Sequence, residues 1–231
     1  MSSTSDPGGA SRPRDSGGGP AAKAGTSALL SDIDALQAHI RTVFGRRPRK
    51  TAPLSMGMRR AAVLLPLVST GSGPAFVLTR RTDQVEHHKG QISFPGGALD
   101  DGEDPLAGAL RETEEEIGVP ARDVEILGGL DDEEAAVSGF MVSPFVAALP
   151  YPARLRVSAD EVHAVLVVSL RALLDPRNVR AELYRRPRGD SVVMYYYQAG
   201  PDVIWGFTGR IVARFLKAVF DVPLVEAGAA G

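Results

Sequence analysis

The sequence predicts an α/β fold in which a mixed β-sheet lies between helices. Three observations carry that expectation. Short β-branched and apolar runs recur through the middle of the chain. Amphipathic helical patterns sit near its start, its centre and its end. The two kinds alternate without the regular strand–helix–strand rhythm of an all-parallel sheet. With 231 residues, 44% hydrophobic and 23% charged, the chain can bury one substantial core.

Residues 1–26 are rich in Ser, Gly and Pro and have almost nothing to bury, so they read as a disordered tail ahead of a domain spanning 27–225. A helix begins near Ser31, which can cap it, with Asp34 three residues on as in a capping box. Ile33, Leu36, Ile40 and Val43 keep helical spacing behind it. The basic run RRPRK at 46–50 then breaks the pattern and reads as a solvated linker rather than a phosphate site. Ala61–Val68 and Ala75–Arg80 are strand-like runs around TGSGP, a hairpin signal. Gln91–Phe94 is a short strand leading into Pro95-Gly96-Gly97. Val124–Leu127, Met141–Leu149 and Val162–Val168 read as further strands, the last flowing into a short helix near Leu170–Leu174. Ala181–Arg186 and Ser191–Gln198 form a hairpin pattern around Arg188-Gly189-Asp190, and Thr208 can cap a final helix carrying Ile211, Val212, Phe215, Leu216 and Val219. No internal repeat is visible.

Composition narrows the function. A net charge of −2 gives no global pull toward nucleic acid or a membrane surface, so neither is expected as a partner. The absence of cysteine excludes disulfides, thiolate metal sites and a cysteine nucleophile. The longest apolar run, AAVLLPLV from Ala61, is too short to span a bilayer, and the first residues lack the apolar core of a signal peptide. A cytoplasmic protein is the expectation. The sequence is compatible with a homodimer but carries no motif that specifies one.

The most informative stretch is GGALDDGEDPLAGALRETEEEIGV, from Gly96 to Val119. Asp100, Asp101, Glu103, Asp104, Glu112, Glu114, Glu115 and Glu116 crowd into it. Asp104-Pro105 is a strong helix start and Gly118 a natural stop, which predicts a helix over 105–117. Advancing ~100° per residue puts Glu112, Glu115 and Glu116 on one face. Leu106, Leu110, Thr113 and Ile117 form a stripe that can bury, and Gly108 and Ala109 leave room on the carboxylate face for something bulky. A bare EEE run reads first as a solvated acidic face. Three details favour a hard divalent cation instead. Gly96-Gly97 brings bare backbone close by, Glu103 sits eight residues before Arg111 where the two can pair, and the acids occupy the helix's C-terminal half, where the dipole disfavours them.

Gly97, five residues, Glu103, seven residues, then Arg111-Glu112-Thr113-Glu114-Glu115-Glu116-Ile117-Gly118-Val119 resembles the Nudix box, with only Thr113 departing from an apolar position. The resemblance implies a Nudix fold, an α/β/α sandwich with a mixed sheet, and hydrolysis of a nucleoside diphosphate linked to another group. It implies Mg2+ or Mn2+ as cofactor, bound by Glu112, Glu115 and Glu116 with the Gly97 carbonyl. Arg111 and Glu103 would hold the preceding loop against the helix. Glu115 and Glu112 are then the catalytic candidates, Glu115 as proton acceptor. Glu161, Glu133 and Glu134 are other carboxylates to weigh for that part, the last two reading as loop acids.

Upstream, LTRRTDQVEHHKGQISFPGG at 78–97 resembles the signature of the coenzyme A diphosphatase branch, matching at Leu78, Thr79, Arg81, His88, Gly90 and the whole run Gln91–Gly97. It departs at Val77, Thr82, Val85 and Glu86, the last reversing a charge. Ile204-Trp205-Gly206-Phe207-Thr208 resembles the branch's segment before its last helix. The resemblance implies CoA or a CoA thioester as the small-molecule substrate, with Arg81 and His88 touching its phosphates. The alternatives are another nucleoside diphosphate derivative, such as ADP-ribose or NADH, or a non-catalytic Nudix-fold regulator that binds a nucleotide. His163 and Trp205 read as core residues, and His39 as a surface helix residue.

Overall fold

The computed structural model describes residues 20–82, 90–135, 137–151, 155–158, 162–185, 189 and 191–224. Two helices open it, α1 (Pro20–Leu29) and α2 (Ile33–Gly45). Helix α1 takes in the end of the stretch read as a disordered tail. PAAKAG combines a proline suited to the first turn with alanines that favour helix, and that local preference was outweighed by composition. Residues 1–19 of that tail lie outside the described residues. Helix α2 is capped one residue later than expected. Asp32 accepts from Ala35 N at 3.0 Å, while Ser31 Oγ turns back to Ser27 O at 3.0 Å. Its buried stripe is Leu36, Ile40 and Phe44.

The strands follow as β1 (Arg59–Thr70), β2 (Gly73–Arg81), β3 (Ile92–Ser93) and β4 (Gly96–Ala98), then helix α3 (Pro105–Ile117). Next come β5 (Glu125–Gly129), β6 (Glu133–Ala135), β7 (Phe140–Ala148), β8 (Val162–Ser169) and the short α4 (Leu170–Leu174). A hairpin of β9 (Val179–Arg185) and β10 (Ser191–Ala199), then β11 (Asp202–Ile204), leads into α5 (Gly206–Phe220). Strands β1 to β8 form one sheet with the path β3-β2-β1-β7-β5, while β4 pairs β1, β6 pairs β7 and β8 pairs β2. Only β1–β7 is parallel among the described pairings, so the sheet is mixed. Strands β9 to β11 form a second, three-stranded sheet.

Alternation along β1 and β2 explains the layers. Leu65, Leu67, Phe76 and Leu78 face α2 and α5, where the Phe76 ring meets Phe94 and Phe215 edge-on at 5.4 and 4.9 Å. Ala62 and Leu64 face the other way onto Ala109 of α3, and Val68, Ala75 and Val77 onto Ile117. A sheet covered on both faces needs near-continuous apolar strands, and β1 and β2 supply them. The result is an α/β/α sandwich. Among the described residues, no helix is long and apolar enough to cross a membrane.

The basic run is not a solvated linker. Arg47 Nη1 reaches Asp131 at 2.8 Å, Lys50 N donates to the same carboxylate at 2.9 Å, and Arg49 pairs with the buried Asp132, which also accepts from Ser143 Oγ at 2.7 Å. Nor is Glu133 a loop acid. It lies in β6, 6% exposed, with Arg210 and Arg214 of α5 each at 2.5 Å.

Candidate active site

Local signals fix α3 at both ends. Asp104 accepts from Leu106 N and Ala107 N at 3.0 and 3.1 Å, and Pro105 takes the first turn. Gly118 closes the helix at φ +71°, where a side chain would be strained and would also meet Arg156. The helix's last carbonyls are not left open: Arg156 N and Ser158 N donate to Ile117 O and Glu116 O at 2.9 and 3.0 Å.

Arg111 is the hub of the carboxylate face. Its Nε and Nη2 grip Glu103 as a fork at 2.9 and 3.0 Å. Its Nη1 reaches Glu112 at 2.8 Å and Glu115 at 3.3 Å, and Nη2 also donates to Ala98 O at 3.3 Å. Glu103 accepts additionally from Asp100 N at 2.9 Å, so the loop of residues 98–103 is tied to α3 through one guanidinium. Hydrogen bonding from Arg111, then from the Asp100 backbone, holds the Glu103 carboxyl at about 2, and Glu103 and Glu112 in turn raise Arg111 above the ordinary guanidinium range. The expected pairing of Arg111 with Glu103 is present. Its reach to Glu112 and Glu115 was not foreseen, although adjacency and the i,i+4 spacing signal it.

The three glutamates occupy different depths. Glu116 is 2% exposed, Glu112 is half-buried, and Glu115 is exposed. Among the described residues, no three carboxylate or imidazole groups already converge on one point, because Arg111 draws Glu112 and Glu115 to itself. The surroundings still suit a cation. All the donors are oxygens, the choice of a hard divalent ion. Gly97 is a cradle: a Cβ there would lie 2.4 Å from Glu112 Oε2, so only glycine lets that carboxylate rest on the β4 backbone. Gly108 differs from its expected part. The space beside it is filled by Leu99 and Glu103, which a Cβ would meet at 2.3 and 2.9 Å. The buried stripe of α3 keeps the expected Thr113 and Ile117 but adds Ala109 and Glu116, while Leu106 and Leu110 are only half-buried.

One short segment connects this helix to a second feature. Strand β3 pairs Ser93 with Thr79 and Ile92 with Arg80. Phe94 enters the core, Pro95 O accepts from Leu64 N at 2.8 Å, and β4 pairs Gly96 and Gly97 with Val63 and Ala62. Gly96, at φ +147°, lies so close to Ala62 O and Val63 that no side chain fits. At the other end, Gly90 and Ile92 line a cavity of about 360 Å³ with Arg80, Arg81, His163 and Asp202. Arg80 is paired with Asp202. The Arg81 guanidinium, by contrast, makes no hydrogen bond or ion pair among the described residues. His163 is exposed at this cavity and is not a core residue; among the described residues β8 pairs only with β2. His39 is half-buried, its Nε2 2.9 Å from Val219 O. His88 and Glu161 lie outside the described residues.

Comparison with known proteins agrees with this geometry. A model of the NUDIX domain matches residues 58–186. Over 160 residues the chain is 38% identical to a protein of Escherichia coli K12 named "Uncharacterized Nudix hydrolase NudL", covering 68% of this chain and 81% of that one. The Shigella flexneri protein of the same name is 38% identical over 167 residues, covering 71% and 85%. Among solved structures, a Nudix hydrolase of M. smegmatis, RenU, superposes with a TM-score of 0.47 at 19% identity, covering 74% of this chain and 92% of that one. A glycine cradle, a capped acidic helix and an arginine hub inside a matched domain are the parts of one enzyme family: the chain belongs to the Nudix hydrolases.

Proposed function

We propose that this Nudix hydrolase cleaves the pyrophosphate bond of coenzyme A or a CoA thioester, releasing 4′-phosphopantetheine (acylated from a thioester) and adenosine 3′,5′-bisphosphate. What supports this reading is the run Gly90–Gly97. Its first residue lines the cavity with the cation Arg81, whose guanidinium has no partner among the described residues, and its last cradles Glu112. A diphosphate with a group on either side needs both a cationic grip and an acidic cutting site, and one rigid segment spaces the two.

Glu112, Glu115 and Glu116, with the Gly97 carbonyl, would hold Mg2+ or Mn2+, which would neutralise charge developing on the phosphate oxygens and orient the attacking water. Arg111 and Glu103 fix the loop so that the Gly97 backbone stays against Glu112. Water adds to one phosphorus as the bridging P–O bond breaks, and the oxygen of the departing phosphate keeps the bonding pair. Glu115, exposed on the outer edge of α3, accepts the water's proton and returns it to solvent. Glu133 is unsuited to that part because two arginines enclose it. Arg81 grips the substrate's phosphates, and a planar guanidinium can do so bidentately.

The test is turnover with Mg2+ or Mn2+ on CoA beside ADP-ribose, NADH and nucleoside triphosphates. CoA should be cut fastest, giving the two products named. Rapid cleavage of ADP-ribose with CoA spared would overturn the substrate and leave the hydrolase.

A further inference from the structure

We infer that the exposed stack of Trp205, Tyr196 and Arg180 is the platform on which the purine base of the nucleotide substrate lies, with its phosphates directed to Arg81. The inference rests on reading the protein as a hydrolase of nucleoside diphosphate derivatives.

Trp205 was expected in the core, yet it is 46% exposed, and this is the chain's single tryptophan. Its ring lies parallel to that of Tyr196, 9° between planes and 6.3 Å between centroids, and the Arg180 guanidinium sits 4.5 Å from the Tyr196 centroid. Strand register explains the order: Tyr196 pairs with Arg180 on β9, and Tyr197 pairs with Ile204, which puts Trp205 beside Tyr196 on the other side. Nearly half of the indole faces water, where that apolar area gains nothing from burial, and the neighbour holds the ring flat. Bases of any sequence stack on such a face because each has a π-surface.

Two tethers bring the platform to the phosphate cavity. Val203 lines the cavity, and with Ile204 buried between them, Val203 and Trp205 point from the same face of β11. Behind Trp205, a Cβ on Gly206 would lie 3.6 Å from Gln91 Nε2, and Thr208 Oγ1 donates to Ile92 O at 3.0 Å. Thr208 therefore does not cap α5 as its position suggested. It pins the Trp205 turn to the strand that borders the cavity. Arg81 supplies positive charge at the cavity, and Arg180, which also pairs with Glu182 at 3.3 Å, lies on the platform against Tyr196.

The sole tryptophan reports the test directly. ADP titrated into the full chain without divalent metal should quench its emission saturably, and inorganic pyrophosphate should leave the emission unchanged. By calorimetry, Trp205→Ala should weaken ADP binding roughly tenfold and Trp205→Phe by less than about threefold, as expected for loss and retention of a stacking face. Unchanged emission on ADP binding, no binding at all, or a Trp205→Phe variant as weak as Trp205→Ala would overturn the proposal. A Trp205→Ala variant that changes oligomeric state in light scattering while binding ADP normally would place a second copy on this face and also overturn it. If ADP quenches and CoA is not hydrolysed, the platform stands and the substrate assignment falls.

Discussion

Two charge clusters lie at separate places on this fold, and they are built oppositely. On α3 a single guanidinium, Arg111, is shared among Glu103, Glu112 and Glu115, all at least partly open to water. On β6 a single carboxylate, Glu133, is enclosed by Arg210 and Arg214 with 6% of its side-chain surface exposed. The first leaves negative charge in excess beside a glycine cradle. The second has positive charge in excess but little room. An acidic surplus at an open surface can be completed by a cation that comes and goes with substrate. A buried carboxylate enclosed by two arginines fastens α5 to the sheet. The difference separates a cluster open to a cation from one that fastens, and residue type alone does not reveal it, since both are glutamates beside arginines.

The largest effect that would sharpen this contrast is on rate. Glu112→Gln should lower turnover by at least about a hundredfold, because loss of a metal-holding carboxylate removes several kcal/mol of transition-state stabilisation. It should also abolish the rise in melting temperature expected when Mn2+ is added to the parent protein, while circular dichroism shows the fold intact. A variant that turns over normally would remove Glu112 from the metal site. The next effect is on stability. Glu133→Ala leaves Arg210 and Arg214 facing each other. Removing one partner of a buried pair costs about 3–5 kcal/mol, and because the Arg214 side chain is 45% exposed and can rehydrate, about 2–3 kcal/mol is expected in urea unfolding. Its turnover per folded molecule and its Mn2+ response should match the parent. A loss of activity without loss of stability would make Glu133 part of the chemistry and erase the comparison.

The cluster on α3 could be placed from the sequence because its determinants are local. Asp104, Pro105 and Gly118 set both ends of α3, and Arg111, Glu112, Glu115 and Glu116 follow from helical spacing. The strand cores β1, β2, β7 and β8 were visible for the same reason, through continuous apolar runs. The fastening cluster could not be read, because the arginines that enclose Glu133, Arg210 and Arg214, lie more than seventy residues later. With only GLDDEEAAV in view, the acids suggest a loop. His163 and Trp205 failed likewise. Both sit in apolar surroundings in sequence, and both end on exposed surfaces, His163 at the cavity beside Arg81 and Trp205 stacked on Tyr196 of the small sheet. The arginines of 46–50 were assigned to solvent since Asp131 and Asp132 lie about eighty residues away.

The smallest effect concerns the tie between the glycine-bearing loop and α3, and pH exposes it. Arg111 holds the Glu103 carboxyl down from its usual 4.5 to about 2. A folded-state value below the unfolded one means that the charged form stabilises the fold. That contribution is complete above about 4.5 and is lost as pH falls from there through 2. The parent protein should therefore be somewhat more stable than Glu103→Gln near neutrality, and the gap should close progressively across that interval in urea unfolding. Burial raises the Glu133 pKa, but that environment is the same in both proteins, so its own titration cancels in the comparison. If the gap were as wide at pH 3 as at pH 7, the Glu103–Arg111 contact would act through shape and neutral hydrogen bonding, and the hub on α3 would resemble the fastening cluster after all.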